Sequence, residues 1–185
     1  MSKMPISTTS LEKTELQRFS RQLVLADWSI AFQKQLNASA IYVDAPFFCT
    51  LPYLAALGIE KITLLSSDRP TPTDLKLAED LGAKVFSLNH TRSEQTNHTS
   101  MRIALLSEKT LISDNLYQFV LIVRESPSLQ LQIFSREADA NLHSLWVSSS
   151  HDIEILDQIT DSSKSITLYG LSILLRTMSL KLKAG

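Results

Sequence analysis

The sequence predicts an α/β domain with a Rossmann-like, three-layer arrangement, in which helices cover both faces of a mainly parallel sheet. The stretch Ala40–Cys49, followed by Leu51–Leu57, has the pattern of a strand, a turn and a helix. Further strand and helix patterns alternate along the chain at spacings that permit crossover connections. The apolar run Phe119–Val123 is typical of a central strand that is buried on both faces.

A single domain is expected from the length of 185 residues, which suffices to bury a core of ordinary size. We interpret residues 1–9 as a mobile N-terminal tail and residues 10–185 as one domain. The tail lacks the apolar core of a signal peptide, and no apolar run approaches the roughly 20 residues that a membrane span needs. We therefore expect a cytoplasmic protein, or a nuclear one in a eukaryote, with no membrane partner.

Turn residues and hydrophobic periodicity assign the elements in order. The predicted strands lie at the start of the stretch Ala40–Cys49 and then at Lys61–Leu65, Lys84–Leu88, Phe119–Val123 and Leu142–Val147. Two helices are predicted before the first strand, one after Ser10 and one over Ile30–Leu36. The later helices are predicted from Thr73 or Asp74 to Leu81, over Met101–Leu106, from Ser126 and Pro127 to about Ala140, and over Ile166–Lys183.

The composition excludes several classes of site. A formal net charge of -1 argues against a nucleic-acid partner recognised by bulk charge. Cys49 is the only cysteine, which excludes an intrachain disulfide and any zinc site built on a CxxC pair. His90 and His98 have no carboxylate or thiol partners in register, so we predict no metal site.

The turn after the first strand has unusual residues for its position. In a nucleotide-binding βαβ unit this turn is rich in glycine, because the backbone must approach the phosphates closely and present its N–H groups to them. Here it contains Asp44, Pro46, Phe47, Phe48 and Cys49, and no glycine. An aspartate at a helix start can itself accept from those N–H groups. We therefore expect no cofactor, and in particular no ATP binding by the isolated chain.

Two further segments carry a resemblance to a known family. Arg18-Phe-Ser-Arg-Gln-Leu-Val-Leu25 looks like an opening Arg-Tyr-x-Arg-Gln-(Ile/Leu) segment, and Tyr53-Leu-Ala-Ala-Leu-Gly-Ile-Glu-Lys-Ile-Thr-Leu-Leu65 looks like a Tyr-Leu-Ala-x-x-Gly-Val-Gly-x-(Ile/Leu)-Thr-(Ile/Leu) run. Both are motifs of the superfamily of ubiquitin-like-protein activating enzymes, which includes the bacterial ThiF, HesA and MoeB adenylyltransferases. The resemblance covers nearly the whole chain and is strongest over residues 16–68.

The departures from that family concern its nucleotide site. The Gly-x-Gly-Gly-x-Gly loop falls on Asp44–Cys49, and the acidic position for the ribose falls on Ser66, with Asp68 two residues later. Glu125 matches a later acidic position. The resemblance thus implies Asp68 and Glu125 as remnant acids, which without the phosphate loop do not assemble a Mg²⁺-nucleotide site. The catalytic cysteine and the zinc-binding cysteines of the family are also missing.

Members of the family act as dimers, in which the second arginine of the opening segment reaches the nucleotide of the other subunit. The resemblance implies this role for Arg21, with Arg18 beside it, since a guanidinium contacts phosphate without needing a glycine loop. The expected function is that of a catalytically inactive subunit. It would pair with an active homologue in the adenylation of a ubiquitin-like or sulfur-carrier protein and would not be an enzyme itself.

Other interpretations stay open at this point. The two arginines are also compatible with a solvated face of a short amphipathic helix. The fold could serve as a homodimeric or stand-alone protein-binding scaffold, with Phe47 and Phe48 either exposed as a contact surface or buried as core. A third alternative is an enzyme with altered chemistry at Cys49, against which stands the use of a lone cysteine as a small apolar residue.

Overall fold

The computed structural model describes residues 13–23, 28–87, 101–109, 117–124, 130–136, 141–149 and 162–184. The N-terminal tail expected at residues 1–9 lies outside these ranges. The helices are α1 Lys13–Arg18, α2 Ser20–Leu23, α3 Ile30–Asn37, α4 Leu51–Ala56, α5 Pro72–Asp80 and α6 Ser162–Ala184, with a 3-10 helix over Ala45–Thr50. The strands are β1 Ala40–Val43, β2 Lys61–Leu64, β3 Lys84–Ser87, β4 Arg102–Ser107, β5 Phe119–Arg124, β6 Gln130–Arg136 and β7 Leu142–Val147.

These strands form one mixed sheet of seven strands in the order β3-β2-β1-β4-β5-β6-β7. Strands β1 to β5 pair in parallel, as the crossover spacing predicts, whereas β6 is antiparallel to both β5 and β7. The order reverses between β1 and β4, because β2 and β3 extend the sheet on one side and β4 to β7 on the other. The prediction of a mainly parallel α/β sheet is therefore confirmed for the described strands.

The two faces of the sheet carry separate apolar clusters, because successive side chains of a strand point to opposite faces. The larger cluster joins alternate residues of β1, β2, β4, β5 and β6 to the buried sides of α3, α4, α5 and α6. Gly170 of α6 lies close to this face, since a Cβ atom there would be 3.1 Å from Leu131 Cδ1 and 3.2 Å from Leu121 Cδ2. The opposite face carries a smaller cluster of Ala104, Leu106, Tyr117, Val120 and Ile122.

Two segments that were predicted as helices are strands in the structure, so these two predictions are wrong. The segment predicted as a helix over Met101–Leu106 forms β4, whose four central residues are buried between β1 and β5. A short apolar run is compatible with a buried helix or a buried strand, and only its neighbours decide. The helix predicted from Ser126 is replaced over Gln130–Arg136 by β6, in which alternate residues are buried and which pairs with β5 along its length.

The remaining elements agree with the predictions to within a few residues. Helix α5 begins two residues earlier than predicted, because Thr71 caps it and its Oγ accepts from the Asp74 N–H at 3.1 Å. The 23 residues of α6 extend the predicted terminal helix at its N-terminus. Among the described helices, none has the length and apolar character that crossing a bilayer requires.

Gly58 and Gly82 follow α4 and α5 as the predicted helix stops, with φ of 90° and 95°. We expect Gly82→Ala to lower the free energy of unfolding by about 1–2 kcal/mol, the cost of a left-handed backbone with a Cβ atom. A Cβ at Gly58 would in addition collide with the Asn37 side-chain oxygen and lie 2.7 Å from Phe19 Cζ, whereas Gly82 has open space around it.

Gly58→Ala should therefore cost about 2–4 kcal/mol, because the strain is added to the displacement of packed side chains. Urea unfolding of the two variants measures the difference, with Gly82→Ala as the matched control for backbone strain. Equal losses in the two variants would show that the packing of Phe19 and Asn37 against Gly58 contributes nothing to stability.

Candidate functional site

A cleft of about 330 Å³ lies at the carboxyl ends of β1, β2, β4 and β5, where the strand order reverses. Open parallel α/β sheets bind ligands at this position, because the loops that follow neighbouring strands diverge there. We call it the carboxyl-edge cleft. Its described lining is Asp44, Ala45, Pro46, Ser66, Asp68, Ser107, Glu108, Lys109 and Val123.

Asp44 is the central side chain of this cleft, and only 7% of its surface is exposed. It caps the 3-10 helix, since its Oδ1 accepts from the Ala45 N–H at 2.9 Å. Its Oδ2 accepts from the Ser107 N–H at 3.2 Å and from the Ser107 hydroxyl at 2.5 Å. One carboxylate therefore connects the ends of β1 and β4 and caps the helix that begins between them.

This arrangement engages the backbone donors that a phosphate would need at the helix start. The Ala45 N–H is bound by the Asp44 side chain, Pro46 has no N–H, and the Phe47 N–H donates to the Asp44 carbonyl at 2.9 Å. A phosphate in this turn would displace these bonds and lie against a carboxylate of the same sign. The geometry confirms that Asp44 caps this helix with its side chain.

The rest of the turn fills space beneath the cleft. Phe47 and Phe48 are 0% and 7% exposed and belong to the larger apolar cluster, so the interpretation of these rings as a contact surface is wrong. Cys49 is half-buried, and its Sγ lies 3.2 Å from Thr167 Oγ1 on α6. The 3-10 helix contacts α6 and β4, and Phe47 and Phe48 contribute to the larger apolar cluster from it.

The two predicted remnant acids are placed differently. Asp68 lines the carboxyl-edge cleft from the loop after β2, where its N–H donates to Ser66 Oγ at 3.1 Å. Glu125 lies outside the described residues. The structure adds three residues that were not predicted, Ser107, Glu108 and Lys109, which follow β4. They were missed because this segment was interpreted as a helix, so that its end could not be placed beside the end of β1.

Arg18 lies at the opposite edge of the sheet. Its guanidinium donates to the Ala55 carbonyl at 2.9 Å and to the Leu81 carbonyl at 2.8 Å. These carbonyls belong to the last turns of α4 and α5, shortly before β2 and β3 begin, where the partial negative charge of a helix end favours a cation. Arg18 thus holds the end of α1 against the C-terminal ends of α4 and α5. Arg21 lies in α2, and its side chain is outside the described part of the structure.

No group of three or more His, Cys, Asp or Glu side chains that could hold a metal ion occurs among the residues that the structure describes. His90 and His98, for which the sequence predicts no metal site, lie outside the described ranges.

No protein-family model and no curated protein matches this sequence. The class of this protein is therefore described from its fold and its site alone. The chain is an α/β domain whose sheet is mixed and mostly parallel. At its carboxyl edge, a side-chain carboxylate connects the two strands at which the strand order reverses.

Replacing Asp44 tests the structural role of the carboxylate. Asp44→Ala should lower the free energy of unfolding by about 2–4 kcal/mol, because it leaves a helix start uncapped and buried N–H groups without an acceptor. Asp68→Ala is the matched control, an exposed acid of the same cleft, and should change it by less than about 0.5 kcal/mol. A double-mutant cycle with Ser107→Ala should give a coupling of about 1 kcal/mol or more. Additive effects would contradict the bridge between β1 and β4.

Proposed function

We propose that the chain is a non-catalytic subunit with a Rossmann-like fold related to the ubiquitin-like-protein activating enzymes. It pairs with an active homologue and takes part in the adenylation of a ubiquitin-like or sulfur-carrier protein through that partner. The order β3-β2-β1-β4-β5 supports the Rossmann-like assignment, because it is the order of the first five strands in the classic dinucleotide-binding sheet.

The observation that carries the non-catalytic part of the proposal is the set of hydrogen bonds around Asp44. The N–H of Ala45 and both donors of Ser107 are bound by a carboxylate, so the turn offers a negative charge where a nucleotide needs N–H groups. Asp68 and Glu108, the other acids of the described lining, do not replace those donors, because Mg²⁺ is normally held with the substrate phosphates as additional ligands.

The pairing part of the proposal rests on the opening arginine segment and on how it is held. Phe19 is 2% exposed, and Arg18 is bound to two helix ends, so these residues anchor the segment on the domain. Ser20 is exposed immediately afterwards, at the start of α2, which contains Arg21. An anchored segment with an exposed residue directly before Arg21 is a suitable support for a guanidinium presented to a second subunit.

The first test is binding of Mg-ATP by the isolated protein, measured by titration calorimetry at pH 7. We expect no heat of binding up to about millimolar nucleotide, because the donors of the turn are already occupied. An intact homologue with the glycine-rich loop is the positive control. Micromolar binding by the isolated chain would contradict the non-catalytic assignment.

The second test uses the complex. The chain is co-expressed with an intact homologue from the same organism, the pair is purified, and ATP–pyrophosphate exchange is measured. We expect a stable pair, and we expect Arg21→Ala to lower the exchange rate by about tenfold or more without dissociating it, since a guanidinium in trans stabilises charge on the phosphates. Lys13→Ala, an exposed cation of α1, is the matched control and should leave the rate unchanged.

The two outcomes separate the two parts of the idea. Unchanged exchange in the Arg21→Ala complex would overturn the role of that arginine and leave the pairing intact. Failure of the two chains to associate would overturn the pairing itself.

A further inference from the structure

We propose that residues 13–19, which we call the N-terminal strap, open as one unit while the sheet remains folded. The strap consists of α1 and of Phe19, which directly follows it. Its described attachment to the rest of the domain is concentrated in two neighbouring side chains, Arg18 and Phe19. The proposal is independent of the proposed function, because it concerns the isolated chain and needs neither a nucleotide nor a partner.

Helix α1 depends on contacts at its C-terminal end. It contains six residues, and a helix of that length is not stable alone in water, because nucleation fixes several residues for the first hydrogen bond. None of its residues is buried, and its one large apolar side chain, Leu16, is 39% exposed. Glu15 is half-buried and has an interaction of its own. The helix is therefore held on the domain mainly through Arg18 and the residue that follows it.

Arg18 provides the polar part of the attachment. Its guanidinium donates to the Ala55 carbonyl at 2.9 Å and to the Leu81 carbonyl at 2.8 Å. These acceptors lie at the C-terminal ends of α4 and α5, where the partial negative charge of a helix favours a cation. Because one bond is exposed and the other is only partly buried, water competes for both, and their net contribution is modest.

Phe19 provides the apolar part of the attachment. Its side chain is 2% exposed, although its neighbours Arg18 and Ser20 are exposed. The ring lies against the turn at Gly58, since a Cβ atom there would be 2.7 Å from Phe19 Cζ. The Arg18 guanidinium carbon lies 5.3 Å from the centre of the same ring. Phe19 is not among the described members of either apolar cluster, so its ring can leave without unpacking the sheet.

Opening of the strap also releases the segment that follows it. The Gln22 N–H of α2 donates to the Phe19 carbonyl at 3.0 Å, so α2 is built onto the end of the strap. Because α2 contains Arg21, the contacts of the strap determine whether that residue is held on the domain. Short segments with few buried apolar contacts are the ones that open at a lower free energy than the whole domain.

Hydrogen exchange on the unmodified protein tests the proposal, with amide rates followed by NMR at pH 7. The Phe19 N–H reports on the strap, because it donates to the Glu15 carbonyl at 2.9 Å. The Leu121 N–H, in the middle of β5, reports on unfolding of the sheet. We expect protection at Phe19 to be at least about hundredfold lower than at Leu121. It should also be nearly independent of low urea concentrations, since a local opening exposes little surface.

Arg18→Gln should speed exchange at Phe19 by about tenfold and leave Leu121 unchanged, because it removes a charged donor from two carbonyls outside the sheet. Lys13→Gln is the matched control, an exposed cation at the other end of α1, and should change neither rate.

Equal protection at Phe19 and Leu121, with the same dependence on urea, would overturn the proposal in the unmodified protein, because the strap would then open only with the whole domain. Equal effects of Arg18→Gln and Lys13→Gln would overturn the anchoring role of Arg18. Neither result bears on pairing with a homologue, which the experiment on the two-chain complex tests separately.

Discussion

The carboxylate of Asp44 determines the character of the carboxyl edge of this domain. It accepts from the Ala45 N–H and from the backbone N–H and hydroxyl of Ser107. It therefore caps a helix and connects β1 and β4, the two strands between which the strand order reverses. In a buried position such a carboxylate is stabilised only if its oxygens are hydrogen-bonded, and here both are. The turn is thereby fixed without a ligand, and the burial of Phe47 beneath it follows from the same 3-10 helix.

A second polar network organises the elements before β1. Gln33 is fully buried in α3, where its Nε2 donates to Asn37 Oδ1 at 2.7 Å and to the Leu57 carbonyl at 2.7 Å, and its Oε1 accepts from the Trp28 indole at 2.8 Å. This network positions Asn37 against Gly58, and the arginine segment is then attached beside it through Arg18. The N-terminal helices are thus connected to α4 by hydrogen bonds to carbonyls at its C-terminal end, and these groups would otherwise need water as donors.

The two edges of the sheet differ in the residues that line their clefts. At the carboxyl edge a protein carboxylate occupies the donors, and Asp68 and Glu108 add negative charge. At the amino edge Arg136 and Lys181 line a cleft together with Met101, Phe119 and Leu182.

The sequence by itself determined the α/β class, the strands β1, β2, β3, β5 and β7, and a turn without glycine that begins at Asp44. These features are local, because each is expressed in a run of neighbouring residues or in the absence of a residue type. Only the tertiary structure decided that Arg102–Ser107 and Gln130–Arg136 are strands, since their pairing with β1 and β5 joins residues far apart in the chain. The same holds for the bond between Asp44 and Ser107, which are 63 positions apart, and for the meeting of Arg136 with Lys181 at one cleft. Contacts of this kind depend on the order and register of strands, which no local pattern of residues encodes.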